Sequence, residues 1–449
     1  MRILLVATYF GLDRATGAKR ANTFARYWSR ADDVEVTVLT ARKPYYPRNP
    51  EGTVDYGDIR EVRVWWPDPI GWRQRLVDRR RAKAPAESGG GAAEPEAASK
   101  SAQRGGLLRF LSDAMVTPDR ETMWFLPAVL RGLFVPRPDI VVATAPSMSG
   151  LIVGRWIARL RRVPFVADLR DPWLTNPFRP ERTGRLDRWD RRLEEFCMRG
   201  PREVWVTTET LRHELKQREH APVTQPITVI SNGFDEEEWR SLTPSTSETT
   251  ACTILHSGSL YGVRTPKPLL DDIAAVASDG QGLGKCSFRF VGPIDPAIQS
   301  ACESSLPNDE LHARVHFEPP LSFEDSLRAQ LAADVLLLVG HRTEEASSQI
   351  PMKLYEYLRA GKPILALFQR NSAVAQLAAE QPELGIHLLD LDDAEARRPI
   401  VRTLLDKGAE GLRAPDPSAV GKYDREALAA VALARLRSIH SPDAAAPTA

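Results

Sequence analysis

Two charged residues, Lys353 and Glu356, stand three apart in the stretch SSQIPMKLYEYLRAGKPILAL, residues 347–367. That spacing puts them on one face of a helix. Pro351 suits the first helical position, and Gly361 suits the left-handed residue after the last turn. Ile350, Leu354, Tyr357 and Leu358 follow helical spacing and are expected to face the core. A helix start carries unpaired N–H groups and partial positive charge, a seat for a diphosphate. Lys353 lies in the first turn and adds a full charge. The competing reading is a surface ion pair worth about 0.2–0.5 kcal/mol.

Other residues of this kind lie near the ends of apolar runs. Gly17, with Lys19 and Arg20 close behind, sits in the loop after the first strand, where a glycine lets backbone approach a ligand; an ordinary flexible loop is the alternative. Asp171 in LRDPW follows a strand. It lies on the cleft side, placed to hydrogen-bond a ligand or to help hold that loop, or to pair structurally with Arg170. The four cysteines (Cys197, Cys252, Cys286, Cys302) have no C-x-x-C spacing. That argues against a zinc site or disulfide framework and for a reducing, cytoplasmic compartment. No G-x-G-x-x-G follows a first strand and no G-x-x-x-x-G-K-[ST] is present, so the dinucleotide fingerprint and the P-loop are both missing.

The elements that must position these residues alternate. MRILLVATYF is a continuous apolar run, read as a buried first strand rather than a leader. ANTFARYWSRA is a helix and residues 34–40 a second strand, the opening of a doubly wound fold. The alternation resumes at DIVVAT and continues past the linker-like SLTPSTSETT into a second series, CTILHSGSL through PILALF. The expected architecture is α/β: two doubly wound parallel-sheet domains facing a cleft, residues 1–240 and 250–420. Residues 421–440 form a helix packing back toward the first domain. Residues 82–106, rich in Ala, Glu, Gly and Pro, are expected to be a disordered loop. Ligand belongs in the cleft, outside the carboxyl ends of the strands. The 449 residues carry a net charge of +1. Residues 1–240 hold 40 Lys+Arg and 32 Asp+Glu, a net of +8; residues 241–449 hold 20 and 27, a net of −7. A basic front half suits an anionic partner such as a membrane surface. The modest excess and the absence of a recognised module argue against a nucleic-acid partner. No apolar run reaches the roughly 20 residues of a membrane-spanning helix.

Taken in order, PDIVVATAPSMSGLIVG, VPFVADLRDPW, VWVTTETLRHEL, ITVISNGFD, LHSGSLYGVR, FRFVGP and MKLYEYLRAGKPILA resemble the family-4 glycosyltransferases of the two-Rossmann-domain (GT-B) fold. The resemblance covers nearly the whole chain outside residues 82–106. ADLRDPW and GSLYGVR resemble a bacterial subgroup acting on surface polysaccharides and other glycoconjugates. The resemblance implies a nucleoside-diphosphate-sugar donor in the C-terminal domain, an acceptor in the N-terminal one, retention of anomeric configuration, and no bound cofactor or metal. It implies that Glu356 accepts hydrogen bonds from ribose hydroxyls. Arg264, six residues past Gly258, takes the place of the family's lysine, and its guanidinium can clamp two phosphate oxygens. Lys267 is the fallback if that loop slips in register. Ser259 replaces the family's arginine, so Arg264 and Lys353 must carry most of the neutralisation. The family's usual E-x7-E departs here: Ser348 stands where the first acid is expected, either bonding the sugar directly or marking different sugar recognition. Gly292 of FRFVGP joins Gly258, Ser259, Ser348 and Glu356 on the donor side. Thr144 holds the place of a frequent family histidine and joins Gly17 on the acceptor side. Arg264, Lys353 and Asp171 are the residues expected to serve catalysis, and Asn232-Gly233 is expected to make the interdomain turn.

Two rivals remain: a non-hydrolysing nucleotide-sugar epimerase of the same fold, which needs acid and base groups in the cleft, and a non-catalytic nucleotide-sugar binder. A membrane expectation rests on Arg73, Arg75, Arg79, Arg80, Arg81 and Lys83, with Arg63 upstream, followed by Trp124, Phe125 and several leucines. The alternative is that MWFLPAVL is a core helix.

Overall fold

The first sheet is built from β1 (Arg2–Ala7), β2 (Glu35–Ala41), β3 (Ile59–Val64), β4 (Ile140–Thr144), β5 (Phe165–Leu169), β6 (Glu203–Val206) and β7 (Ile227–Val229). Its order is β3-β2-β1-β4-β5-β6-β7, and every pairing is parallel. The second sheet holds β8 (Cys252–Ser257), β9 (Cys286–Val291), β10 (Val315–Glu318), β11 (Val335–Val339), β12 (Ile364–Phe368) and β13 (Ile386–Asp390), in the order β10-β9-β8-β11-β12-β13, again all parallel. This computed structural model describes residues 1–11, 16–42, 56–68, 113–176, 179–218, 221–244, 251–278, 286–342 and 348–441. The expected loop at 82–106 and the basic residues 73–83 lie outside the described residues.

Strands buried on both faces read as unbroken apolar runs. All five residues of β4, β5, β11 and β12 are buried. Each sheet carries one apolar cluster per face. Strand order reverses between β1 and β4 in one domain and between β8 and β11 in the other. Ligands bind at such switch points, beyond the carboxyl ends of the strands.

The chain crosses between domains twice. Gly233 lies so close to the returning segment that a β-carbon there would stand 2.1 Å from the Tyr423 carbonyl oxygen. Phe234 N–H donates to Tyr423 O (3.1 Å), and Arg425 N–H donates to Phe234 O (2.8 Å). The helix Arg425–His440 then packs on the first domain, where Trp28 Nε1 donates to Ala429 O (2.9 Å). Phe24 stacks on Trp28 at 4.6 Å, which ties the helix Thr16–Trp28 to the same core.

Two expectations need correction. Pro351 is the residue before the helix Met352–Ala360, with an extended ψ of 139°, rather than its first helical residue. Trp124 is fully buried in the first domain's core and Phe125 packs edge-on against Trp156, so neither offers a free aromatic belt as that expectation required.

Candidate active site between the two domains

Both switch points open on one cavity of about 290 Å³. Gly17, Pro146, Arg170, Asp171 and Thr207 line it from the first domain. Tyr261, Arg264, His341 and residues 349–352 line it from the second, together with Phe368 at the end of β12 and Gln369 and Ser372 just after it. Three residues singled out from sequence, Arg264, Asp171 and Gly17, therefore meet across it, from positions up to 247 residues apart in the chain.

Arg264 sits at the end of a loop held rigid by backbone pairing. Leu260 N–H donates to Pro293 O (3.0 Å) and Asp295 N–H donates to Leu260 O (2.9 Å). The Arg264 guanidinium lies 5.5 Å from the centre of the Tyr261 ring. Its Nε is buried without a hydrogen-bond partner. Burial lowers its pKa, and the nearby Tyr261 works in the opposite direction; an arginine stays charged regardless. An unpaired buried donor on a cation favours an anion that supplies the missing acceptor. His341 packs edge-on to Tyr261 at 5.5 Å. Burial and the neighbouring Arg264 charge push its pKa down to about 4, so its imidazole is neutral near pH 7.

The helix Met352–Ala360 aims its start at the same cavity, since Ile350, Pro351 and Met352 line it. Its free N–H groups add partial positive charge beside Arg264. Glu356 does not line the cavity. It is buried one turn along, with Oε2 3.4 Å from Lys353 Nζ and Oε1 3.9 Å from Lys19 Nζ, and Gln330 Nε2 donates to it at 3.5 Å. Burial disfavours its charge, but Lys353, Lys19 and Arg425 outweigh that and hold its pKa below the usual range. Lys19 reaches in from the first domain, 3.8 Å from Glu238 and with its ammonium 4.4 Å from the centre of the Phe323 ring. Its own pKa is lowered by burial, which the Glu238 charge offsets in part. The Lys353–Glu356 pair is thus a partly buried, domain-bridging cluster rather than a solvated surface pair.

On the first domain's side, Gly17 lies in the first turn of the helix Thr16–Trp28 rather than in the loop expected from sequence; Arg170 Nη1 donates to its carbonyl (2.7 Å), which fixes that helix start, and Thr207 Oγ1 donates to Arg170 O (2.7 Å). Asp171 follows on the cavity wall. Burial raises its pKa and Arg170 opposes the rise, which suits a carboxylate that takes up a proton readily.

Other expected residues sit elsewhere. Thr144 is buried and donates to Asp168 Oδ2 (2.6 Å); that carboxylate also receives the Arg20 guanidinium at 2.8–3.1 Å. Thr144 therefore ties the carboxyl ends of the neighbouring strands β4 and β5 together and does not line the cavity. Ser348 is buried, and its carbonyl accepts from Thr208 Oγ1 (2.7 Å) across the domain junction. Gly258 and Gly292 pack against each other: a β-carbon on Gly292 would stand 2.2 Å from Gly258 O. Ser259 lies in the same loop, partly exposed and away from the cavity lining. Sequence reasoning missed His341, Tyr261, Pro146 and the loop after β12. The available signal was position, because His341 stands directly beyond the carboxyl end of an apolar strand. A second cavity of about 340 Å³ lies elsewhere at the domain junction. Lys422 is the one cation in its lining among the described residues, beside Glu209 and Glu380, a poor match for a diphosphate. Among the described residues no group of three or more His, Cys, Asp or Glu is placed to hold a metal ion.

Comparison with known proteins bears on the fold. Residues 86–238 match the model of Glycosyltransferase Family 4. Sucrose-phosphate synthase from Thermosynechococcus elongatus superposes with a TM-score of 0.62 at 13% identity, covering 98% of this chain and 100% of that one. HepE from Anabaena, solved in complex with UDP, has a TM-score of 0.55 at 14% identity, covering 98% and 100%. A putative UDP-N-acetylglucosamine 2-epimerase from Listeria monocytogenes has a TM-score of 0.51 at 12% identity, covering 97% and 96%. No curated protein matches the sequence. The first domain carries the match to the Glycosyltransferase Family 4 model, and the whole chain shares the two-domain GT-B fold of these structures.

Proposed function

We propose that the protein transfers a sugar, with retention of configuration, from a nucleoside-diphosphate sugar to a glycan, lipid-linked or small-molecule acceptor. The observation that carries the reading is Arg264: a buried guanidinium with an unpaired donor, at the mouth of a helix start, facing Asp171 across the cavity. HepE, whose complexes hold UDP and UDP-glucose, lends support for the donor class. The diphosphate lies against Arg264 and the start of the helix Met352–Ala360, with Lys353 adding charge and no metal required. Charge that develops on the departing diphosphate meets donors already in place. The leaving phosphate oxygen takes the acceptor proton, and Asp171 orients the acceptor hydroxyl beside Gly17. Neutral His341 offers one ring N–H to the donor without competing for the anion. Glu356 and Ser348 shape the donor side from behind the cavity wall. The reaction belongs to bacterial surface-polysaccharide or other glycoconjugate synthesis at the cytoplasmic face of the membrane.

The test is a donor panel, with and without acceptors, read by release of nucleoside diphosphate and by NMR of the product's anomeric proton. Acceptor-dependent release with retained configuration is expected. Conversion of the donor sugar without acceptor would make the epimerase reading the better one, and binding without turnover on any acceptor would make the protein a binder.

A further inference from the structure

The first domain exposes an apolar stripe that crosses three neighbouring helices. On the helix Phe125–Leu133 and its C-cap, Leu126, Leu130 and Phe134 recur every four residues and are each more than half exposed. On the next helix, Met148–Arg161, Trp156 and Leu160 are 37% and 52% exposed. The rings join these elements: Phe125 to Trp156 at 6.4 Å, and Trp156 to Phe196 of the helix Gly184–Met198 at 5.5 Å. Trp189, seven residues before Phe196 and so on the same helical side, is 39% exposed. Scattered exposed leucines need no explanation, but exposed apolar groups gathered on three packed helices mark a contact.

The charge around the stripe identifies the contact. Residues 125–162 contain six arginines and a single acid, Asp139, which is paired with Arg2. Arg131, Arg159 and Arg162 are exposed on it. In the third helix Arg188 and Arg192 are also exposed; of its four acids, Asp190 and Glu194 are buried and spent on Arg179, Arg182 and Arg218, while the half-buried Asp187 and Glu195 pair with Arg191 and Arg199. A second copy seated on this face would set arginine against arginine, which disfavours pairing. We propose that this three-helix face docks on a lipid bilayer with anionic headgroups. Leu126, Leu130, Phe134 and Leu160 enter the interfacial layer, Trp156 and Trp189 sit at headgroup depth, and the arginines meet lipid phosphates. This is a different set of residues from the buried Trp124. The inference goes beyond the transfer reading and is tested on the protein alone. It also places a lipid-borne acceptor beside the domain whose Pro146, two residues before the helix Met148–Arg161, walls the cavity.

The experiment is flotation of the full chain with vesicles of phosphatidylglycerol and phosphatidylcholine, against phosphatidylcholine alone, at low and high salt. Binding to the anionic vesicles only, weakened by salt, is expected. The double variant L130E/F134E should lower the partition coefficient at least about tenfold, with an unchanged melting temperature and unchanged nucleotide binding by calorimetry. The salt dependence should fall in an R159S/R162S/R192S variant. Absence of binding to anionic vesicles at low salt overturns the proposal. So does equal binding by L130E/F134E, or a wild-type dimer in sedimentation velocity that the same variant dissolves. Loss of transfer activity in a protein that still binds vesicles would count against the function and leave this face intact.

Discussion

Replacing Arg264 with alanine should remove transition-state stabilisation without disturbing the fold. Its guanidinium has no ion pair among the described residues; its described partner is the ring of Tyr261, and its Nε is unsatisfied. Truncation therefore leaves no buried carboxylate stranded. A hydrogen bond to a charged group contributes about 1.5–3 kcal/mol, so losing one such bond to a diphosphate oxygen should lower kcat/KM by roughly 12- to 160-fold. If both arms of the fork engage, the loss lies at the upper end. Arg264→Lys, which keeps the charge and loses the fork, should fall between wild type and Arg264→Ala. The assay is initial-rate release of nucleoside diphosphate over a range of donor concentrations, with thermal unfolding as control. A kcat drop that matches the kcat/KM drop would mean that the bond tightens in the transition state. Values of kcat/KM within twofold of wild type, in a folded protein, would refute the placement of the diphosphate.

Lys19→Met should lower stability by about 1–3 kcal/mol, less than a fully stranded buried charge costs, because Glu356 keeps Lys353 and Gln330. Urea unfolding reads it, and the K19M/E356Q cycle should show coupling of at least about 0.5 kcal/mol; additive effects would break the proposed bridge. His256 is buried with Nδ1 2.9 Å from Leu337 O and Nε2 unpartnered, and burial depresses its pKa to about 4. The unfolded chain binds a proton that the folded one refuses, so stability is full above pH 6.5 and is lost as the pH falls toward 4, by on the order of 3 kcal/mol. His256→Gln should flatten the pH dependence of urea unfolding across that window; an unchanged slope would exclude His256 as its source. Glu356→Ala should lower kcat/KM at least about tenfold and also depress the melting temperature, since it leaves Lys19 facing Lys353. A purely kinetic effect would mean that the carboxylate is not part of the domain bridge.

The fold was legible because parallel strands advertise themselves. IVVAT, FVADL, VLLLV and ILALF are unbroken apolar runs between helical segments, and each became a strand buried on both faces. The lining of the candidate cavity was legible where a residue's place along the chain decides its place in space. Arg264, Asp171 and Gly17 each follow the carboxyl end of a strand, and parallel sheets send those ends to one edge. It was not legible where packing decides. Nothing in the spacing of Gly258 and Gly292 tells that they need room for each other's backbone. Nothing near Thr144 tells that its hydroxyl is held by Asp168, 24 residues on, in a network with Arg20. The Lys353–Glu356 spacing was read as one helical face, but Lys19, more than three hundred residues away, makes that face an interdomain contact. Trp124 and Trp156 have the same composition signal; the helix turn that buries one and exposes the other appears only when the sheet beneath is known.

The most direct test of the central claim is a structure of the protein with a bound nucleoside diphosphate, such as UDP. The account predicts the diphosphate in the cavity between the domains, with a phosphate oxygen within about 3 Å of the Arg264 guanidinium and the start of the helix Met352–Ala360 directed at it. A nucleotide bound instead in the cavity lined by Tyr355, Gln381 and Tyr423, or bound with Arg264 turned away from its phosphates, would contradict it.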